Sequence, residues 1–210
     1  MLDAPASAQL VQAFANTLDV EEGTDELDTA RKLDTWLREQ GLLRGGAQVH
    51  SPDHALCLRM RAGIREELGV HVGDQADPAL QREATAALRE LPVVVTTGVG
   101  DTGAADAGTV PTESGTTSTG GHSVLVPDPD LTAPRKALAA LAIAWSELAV
   151  TGEAARLKRC SEHACAWVFW DTSKNRSRRW CSMRVCGNRA KARRYAARQS
   201  TETLSGTPAE

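Results

Sequence analysis

The 210-residue sequence predicts a mainly α fold with short β-hairpins, and three observations carry that reading. Apolar residues recur at three- and four-residue spacing through most of the N-terminal two thirds, the signature of amphipathic helices. Ser-Pro, Asp-Pro and Thr signals open those stretches, and Gly closes several of them. Core aromatics are scarce, with two Phe and one Tyr beside five Trp, so aliphatic helices packed on each other fit better than a β-sandwich. At 41% hydrophobic and 24% charged the chain reads as globular, long enough for one medium domain or two small ones.

The elements follow in order. Residues 5–20 form a short helix with Leu10, Phe14 and Leu18 on one stripe, and 25–40 a second with Leu27, Ala30, Leu33 and Leu37, stopped by Gly41. Ser51-Pro52 is an N-cap and N1 pair opening a helix to about Leu68, with Leu56, Met60, Ile64 and Leu68 aligned and Gly69 at its end. Asp77-Pro78 repeats the start signal before Leu80, Ala84, Leu88 and Leu91. The β-branched runs 92–95 and 123–126 can pair as a hairpin across a long loop. Between them, 17 of the 27 residues in 96–122 are Gly, Thr or Ser, which reads as a flexible loop. Thr132 caps a further helix with Leu138, Leu141, Trp145 and Leu148 on one face.

Two patterns are tempting and fail on context. Gly98, Gly100 and Gly103 form G-x-G-x-x-G after an apolar run, but a dinucleotide site needs a helix to open at once, and AADAGTVPTESG is a poor helix. His50, His54 and Cys57 resemble metal ligands, but Pro52 breaks the helical spacing and Cys57 reads as a small buried hydrophobe.

Charge divides the chain. Residues 156–198 hold thirteen Lys and Arg against only Glu162 and Asp171, a net of +11. The whole chain is −3, so the remainder carries −14. An acidic body joined to a basic module points to a polyanion partner for the module, or to packing of the two parts on each other. No apolar run spans a membrane, and the start MLDAPASAQL lacks the regions of a secretion signal, so a cytoplasmic protein is expected.

Four of the five cysteines, Cys160, Cys165, Cys181 and Cys186, form C-x4-C-x15-C-x4-C inside the basic segment. In a reducing compartment disulfides are disfavoured, and two short Cys pairs joined by a spacer suit a tetrahedral ion. Zinc fits best, as one structural Zn2+ with four thiolates and no open position. An iron–sulfur cluster, unliganded thiols or a disulfide are the alternatives, and His163 could replace one sulfur. A module this small lies near the lower size limit for a self-sufficient core, so metal binding would act as folding energy.

Around the cysteines, AWVFWD reads as a strand, DTSKNRS as a turn and RRW as the returning strand. Met183 to about Gln199 reads as a helix with Cys186 in its first turn, giving a treble-clef-like finger. Arg184, Arg189, Lys191, Arg193, Arg194 and Arg198 on that helix could enter a groove of DNA. Arg176, Arg178 and Arg179 on the hairpin would meet phosphates.

Cys186-Gly187-Asn188-Arg189 spells CGNR. With NRSRRWCSMRVCGNRAKARRY and the upstream C-x4-C, residues 160–198 resemble the CGNR zinc-finger family. ANTLD (Ala15–Asp19) and WLREQGLL (Trp36–Leu43) resemble the helical ABATE domain found ahead of that finger. The resemblance implies a stress-induced bacterial transcription regulator, binding DNA through the finger, with zinc on the four cysteines. The expected organisation is an ABATE-like helical domain at 1–152, a finger at 156–199 and a disordered tail at 200–210. The helical domain is then the place for a small-molecule effector or for homodimerisation. An RNA-binding or protein-interaction adaptor is the rival reading. No nucleophile, base and acid stand together, so an enzyme is not expected.

Overall fold

The computed structural model describes residues 3–96 and 125–205. These residues make six α-helices and three two-stranded antiparallel sheets, the mainly α architecture with short hairpins that the apolar spacing predicts. The Gly98, Gly100 and Gly103 pattern and nearly all of the Gly/Thr-rich stretch lie outside the described residues.

The helix α1 (Ala6–Asn16) buries Ala8, Val11, Phe14 and Ala15. It stops before Leu18, because Leu18–Asp19 (β1) pairs with Thr24–Asp25 (β2) in a small hairpin that the periodicity does not reveal. The Asp25 carboxylate accepts from the Leu27 amide (2.8 Å), and the Thr29 hydroxyl caps the Lys32 amide (3.3 Å). Helix α2 (Ala30–Glu39) therefore begins five residues later than predicted, with Trp36 tilted against Phe14 at 5.7 Å between centroids.

Helix α3 (Ser51–Val70) carries the predicted stripe of Leu56, Met60, Ile64 and Leu68, all buried. Its N-cap is His50, one residue before the predicted Ser51, with the His50 amide donating to Asp53 (3.4 Å). Helix α4 (Pro78–Arg89) starts as predicted, Asp77 capping the Ala79 amide (2.7 Å). A Cβ on Gly63 would stand 2.1 Å from the Cβ of Ala84, so glycine is what lets α3 and α4 approach this closely. Val93–Val95 (β3) pairs with Leu125–Pro127 (β4), the predicted hairpin. Helix α5 (Ala133–Thr151) fully buries Leu138, Leu141 and Leu148, and Gly152 ends it in the left-handed region at φ +72°. Each such leucine contributes about 1.5–3 kcal/mol by leaving water.

The next strands correct an expectation. Val168–Trp170 (β6) is a strand as predicted, but its partner is Leu157–Arg159 (β5), upstream of the first cysteine, and not Arg178–Trp180. The 178–180 segment cannot join a ladder there. Its Arg178 amide is taken by Asp171 (3.0 Å) and its Arg178 carbonyl by Lys158 Nζ (3.1 Å).

Alternation along the hairpin gives it two faces. Leu157, Val168 and Trp170 join the core of the helical body, whereas Phe169 lies with the cysteines. Side chains of the body close both edges. Asn16 donates to the Val168 carbonyl (2.9 Å) and accepts from its amide (2.8 Å), standing in for a neighbouring strand. His71 Nδ1 donates to the Leu157 carbonyl (2.8 Å). Arg159 lies over Gly69, where a Cβ would come within 2.5 Å of the guanidinium, and bridges Glu66 (2.5 Å) and Asp74 (3.4 Å). The last helix, α6 (Asn188–Ser205), follows a π-helical turn at Met183–Gly187. It runs past the predicted end near Gln199.

Candidate metal centre and its basic helix

Two tight turns bring the cysteines together. In the first, the Glu162 carbonyl accepts from the amides of Cys165 (2.9 Å) and Ala166 (2.8 Å), and Ala166 turns back at φ +50°. In the second, the Ser182 hydroxyl accepts from the Val185 amide (3.3 Å) and its carbonyl from Gly187 (3.1 Å). A Cβ on Gly187 would meet Met183 Sδ at 2.5 Å, so any side chain there would have to displace the exposed Met183 side chain.

The four sulfurs of Cys160, Cys165, Cys181 and Cys186 lie within 4.8 Å of one another. Cys181 Sγ is 3.6 Å from both Cys165 and Cys186. A tetrahedral Zn2+ with Zn–S of about 2.3 Å separates its sulfurs by about 3.8 Å, whereas a disulfide needs about 2.05 Å. The set therefore fits one ion and does not fit a disulfide. Burial, with the charge of Cys160 adding to it, pushes the thiols of Cys181 and Cys186 up, Cys186 to about 11. A central dication is what makes four adjacent thiolates tolerable, and binding it releases protons. The Cys181 amide also points at Cys160 Sγ (3.5 Å). His163 stays out of the set, its side chain 79% exposed and 3.3 Å from Asp74. His54 is likewise engaged elsewhere, on the Leu27 carbonyl (2.7 Å), and Cys57 is fully buried.

The only two acids of the basic segment are both buried, and each organises one half of the finger. Asp171 receives Lys158 Nζ (2.7 Å) and the amides of Ser173 (2.8 Å) and Arg178 (3.0 Å). Lys158 completes its shell on the carbonyls of Arg176 and Arg178. Burial works against the Asp171 carboxylate, but the hydrogen bonds from Lys158 and Ser173 outweigh it and hold the pKa at about 2. Glu162, between the first two cysteines, receives Arg193 of α6 (2.6 Å), which holds its carboxyl below the ordinary range.

The nine cations expected to meet nucleic acid divide into two groups. Arg176 reaches the Gly152 carbonyl (3.1 Å) and Glu153 (3.7 Å). Arg178 lies 4.7 Å over the Phe169 ring and donates to the carbonyls of Trp180 (2.8 Å) and Cys181, bracing the third ligand. Arg193 is held by Glu162, and Arg189 by Glu21 at the tip of the β1–β2 hairpin (2.8 Å). The side chains of Arg179, Arg184, Lys191, Arg194 and Arg198 have no acidic partner among the described residues. At about 100° per residue, Arg189 and Arg193 share one face of α6 while Lys191, Arg194 and Arg198 share the opposite one.

Composition signals only part of this division: of the segment's two acids Glu162 takes Arg193, whereas Arg189 and Arg176 use Glu21 and Glu153 from outside the segment. Arg61 and Arg65 gave no such signal, yet α3 buries both. Arg61 makes a two-pronged pair with Asp25 (2.5 and 2.7 Å) and donates to Thr17 (2.8 Å), while Arg65 binds backbone carbonyls. Burial works against the Asp25 carboxylate, and Arg61 with the Leu27 amide outweighs it and lowers its pKa.

Compared with known families, residues 8–152 match the ABATE model, described as "Putative stress-induced transcription regulator". The chain belongs to the ABATE family. Residues 156–199 match the CGNR zinc finger, so the sulfur quartet is that finger's zinc site. A search of curated proteins and one of solved structures returned no match. Within ANTLD, Asn16 closes β6 of the finger, while Ala15, Thr17 and Leu18 hold Arg61 and Arg65 of α3, and Arg65 in turn reaches the Ala166 carbonyl of the first zinc-binding turn. Among the described residues no helix is long and apolar enough to cross a membrane.

Proposed function

We propose that the chain is a zinc-dependent transcription regulator that binds DNA through the outer face of α6. One observation carries this reading. The helix α6 is rooted in the zinc site, its residues 191–199 are all exposed, and Lys191, Arg194 and Arg198 line one stripe without acidic partners among the described residues. Arg189 and Arg193 tie one side of this polar helix to its own chain, and the cationic stripe on the other side suits the phosphates of a duplex. Arg179 and Arg184 extend the same charge, and Arg176 and Arg178 position the loop between the zinc-binding turns. The ion is structural, four thiolates leaving no position for a substrate on it. Four cysteines that hold an ion and form no disulfide suit a reducing compartment such as the cytoplasm.

The test is DNA affinity of the zinc-loaded chain across a salt series, with Lys191→Ala, Arg194→Ala and Arg198→Ala combined. The slope of log affinity against log salt is expected to flatten by about 0.9 per lost phosphate contact, about 2.7 for all three. An unchanged slope with zinc still bound overturns this face. Weak binding that is alike for every duplex and is displaced by RNA reassigns the finger to RNA.

A further inference from the structure

Where the ABATE region and the finger meet, a cavity of about 450 Å³ opens between α3, α4 and the first zinc-binding turn. Leu18, Val20, Ala62, Leu80 and Ala166 give it an apolar wall. Arg159 also lines it, but its charge is already shared by Glu66 and Asp74. Arg65 is different. It is 5% exposed and faces the cavity with no carboxylate at hydrogen-bond distance. Its Nη1 gives both protons to the carbonyls of Ala15 (2.5 Å) and Leu18 (3.3 Å), and Nη2 gives one to Ala166 (3.1 Å). The Nε proton and the second Nη2 proton have no partner among the described residues. Nε and Nη2 form the edge of a guanidinium that grips a carboxylate with two parallel bonds. The Nε donor is open to solvent and not sealed in the protein, and a cation that presents two free donors beside an apolar wall suits an amphipathic anion.

We propose that this junction cavity binds a small monocarboxylate with an apolar body, its carboxylate on Arg65 Nε and Nη2 and its body against Leu80 and Ala62. Burial, and the like charges of Arg159 and Arg61, pull Arg65 down to about 10, which still leaves it charged at neutral pH. The site touches both halves of the chain. Ala166 belongs to the first zinc-binding turn, and Leu18 and Val20 belong to the hairpin whose tip residue, Glu21, holds Arg189 of α6. The inference gives the regulator proposed above its effector and rests on that reading for its consequence alone, since the binding itself is measured without DNA.

The experiment titrates the zinc-loaded full chain, by calorimetry and by ligand-observed NMR, with hexanoate, octanoate, benzoate and phenylacetate, each beside its uncharged amide. At least one acid is expected to bind saturably and at least tenfold more tightly than its amide. Arg65→Gln is expected to remove that preference. Because Arg65 also holds three carbonyls, a second variant, Ala62→Phe, fills the cavity and leaves those bonds in place. It is expected to weaken the acid at least tenfold with zinc content and helical circular dichroism unchanged. Saturable binding by none of the four acids, equal affinity for acid and amide, or undiminished affinity in a folded Ala62→Phe chain overturns the site.

Discussion

In the helical body, Phe14, Leu33, Leu37, Leu56, Met60, Leu68, Leu138 and Leu141 are fully buried and form one continuous apolar core. The finger beyond Cys160 has a cluster of three cysteines and Phe169, with Trp180 and Cys181 packed on it. Where the body uses aliphatic area, the finger uses an ion and two buried carboxylates. The hairpin β5–β6 belongs to both, because alternate residues serve alternate sides. The boundary of physical support therefore falls inside the finger, between a hairpin anchored in the body and a loop and helix that depend on zinc.

Metal removal tests that boundary with the largest effect. A structural zinc contributes apparent binding energy of about 10–16 kcal/mol in small modules, and here it is the main link among residues 176–199. Chelation is expected to abolish amide-exchange protection in the π-helical turn and α6, leave α3 and α5 protected, and spare β6, where Asn16 holds Val168. Cooperative loss of protection through α5 would show that the two regions are one unit.

Next in size is the buried pair. Asp171→Asn leaves Lys158 buried at 3% exposure without a counter-charge. Breaking one partner of such a pair typically costs about 3–5 kcal/mol, to be measured by urea unfolding of the zinc-loaded chain. Replacing both, as Lys158→Met with Asp171→Leu, is expected to recover much of it. Because the folded carboxyl lies at about 2, below its unfolded value of about 3.9, its contribution is complete above about pH 4 and fades as pH falls toward 2.

Much of this was legible because it is local. The apolar stripes, the Asp77-Pro78 start and the C-x4-C pairs each depend on residues within a turn or two of one another. What stayed hidden depends on distant partners. Leu157-Lys158-Arg159 does not read as a buried strand until Asp171 neutralises Lys158 and Glu66 with Asp74 takes Arg159. Arg61 and Arg65 fall on the core side of α3 because Asp25 and the carbonyls of Ala15, Leu18 and Ala166 wait there. The basic helix read as one charged surface because nothing near Arg189 in sequence announces Glu21.

That last pair sets the smallest and most specific test. Arg189 and Glu21 are both about 40% exposed, so their pair is a weak tether between the acidic body and the basic helix. Helical spacing places Arg189 on the face opposite Lys191, Arg194 and Arg198, and the pair keeps its charge occupied. Glu21→Gln removes the charge and leaves the hairpin turn, so zinc content and thermal stability are expected to stay at the parent level. Freed, Arg189 becomes available to phosphate, and the salt dependence of DNA binding should steepen by about 0.9. Arg189→Ala alone should leave the slope where it is, because in the parent that cation is already engaged by Glu21. If Arg189→Ala instead flattens the slope as much as Arg194→Ala does, the tether opens on DNA and both faces of α6 contribute. The ordering of these three slopes thus separates a helix divided between body and DNA from one that meets DNA all round.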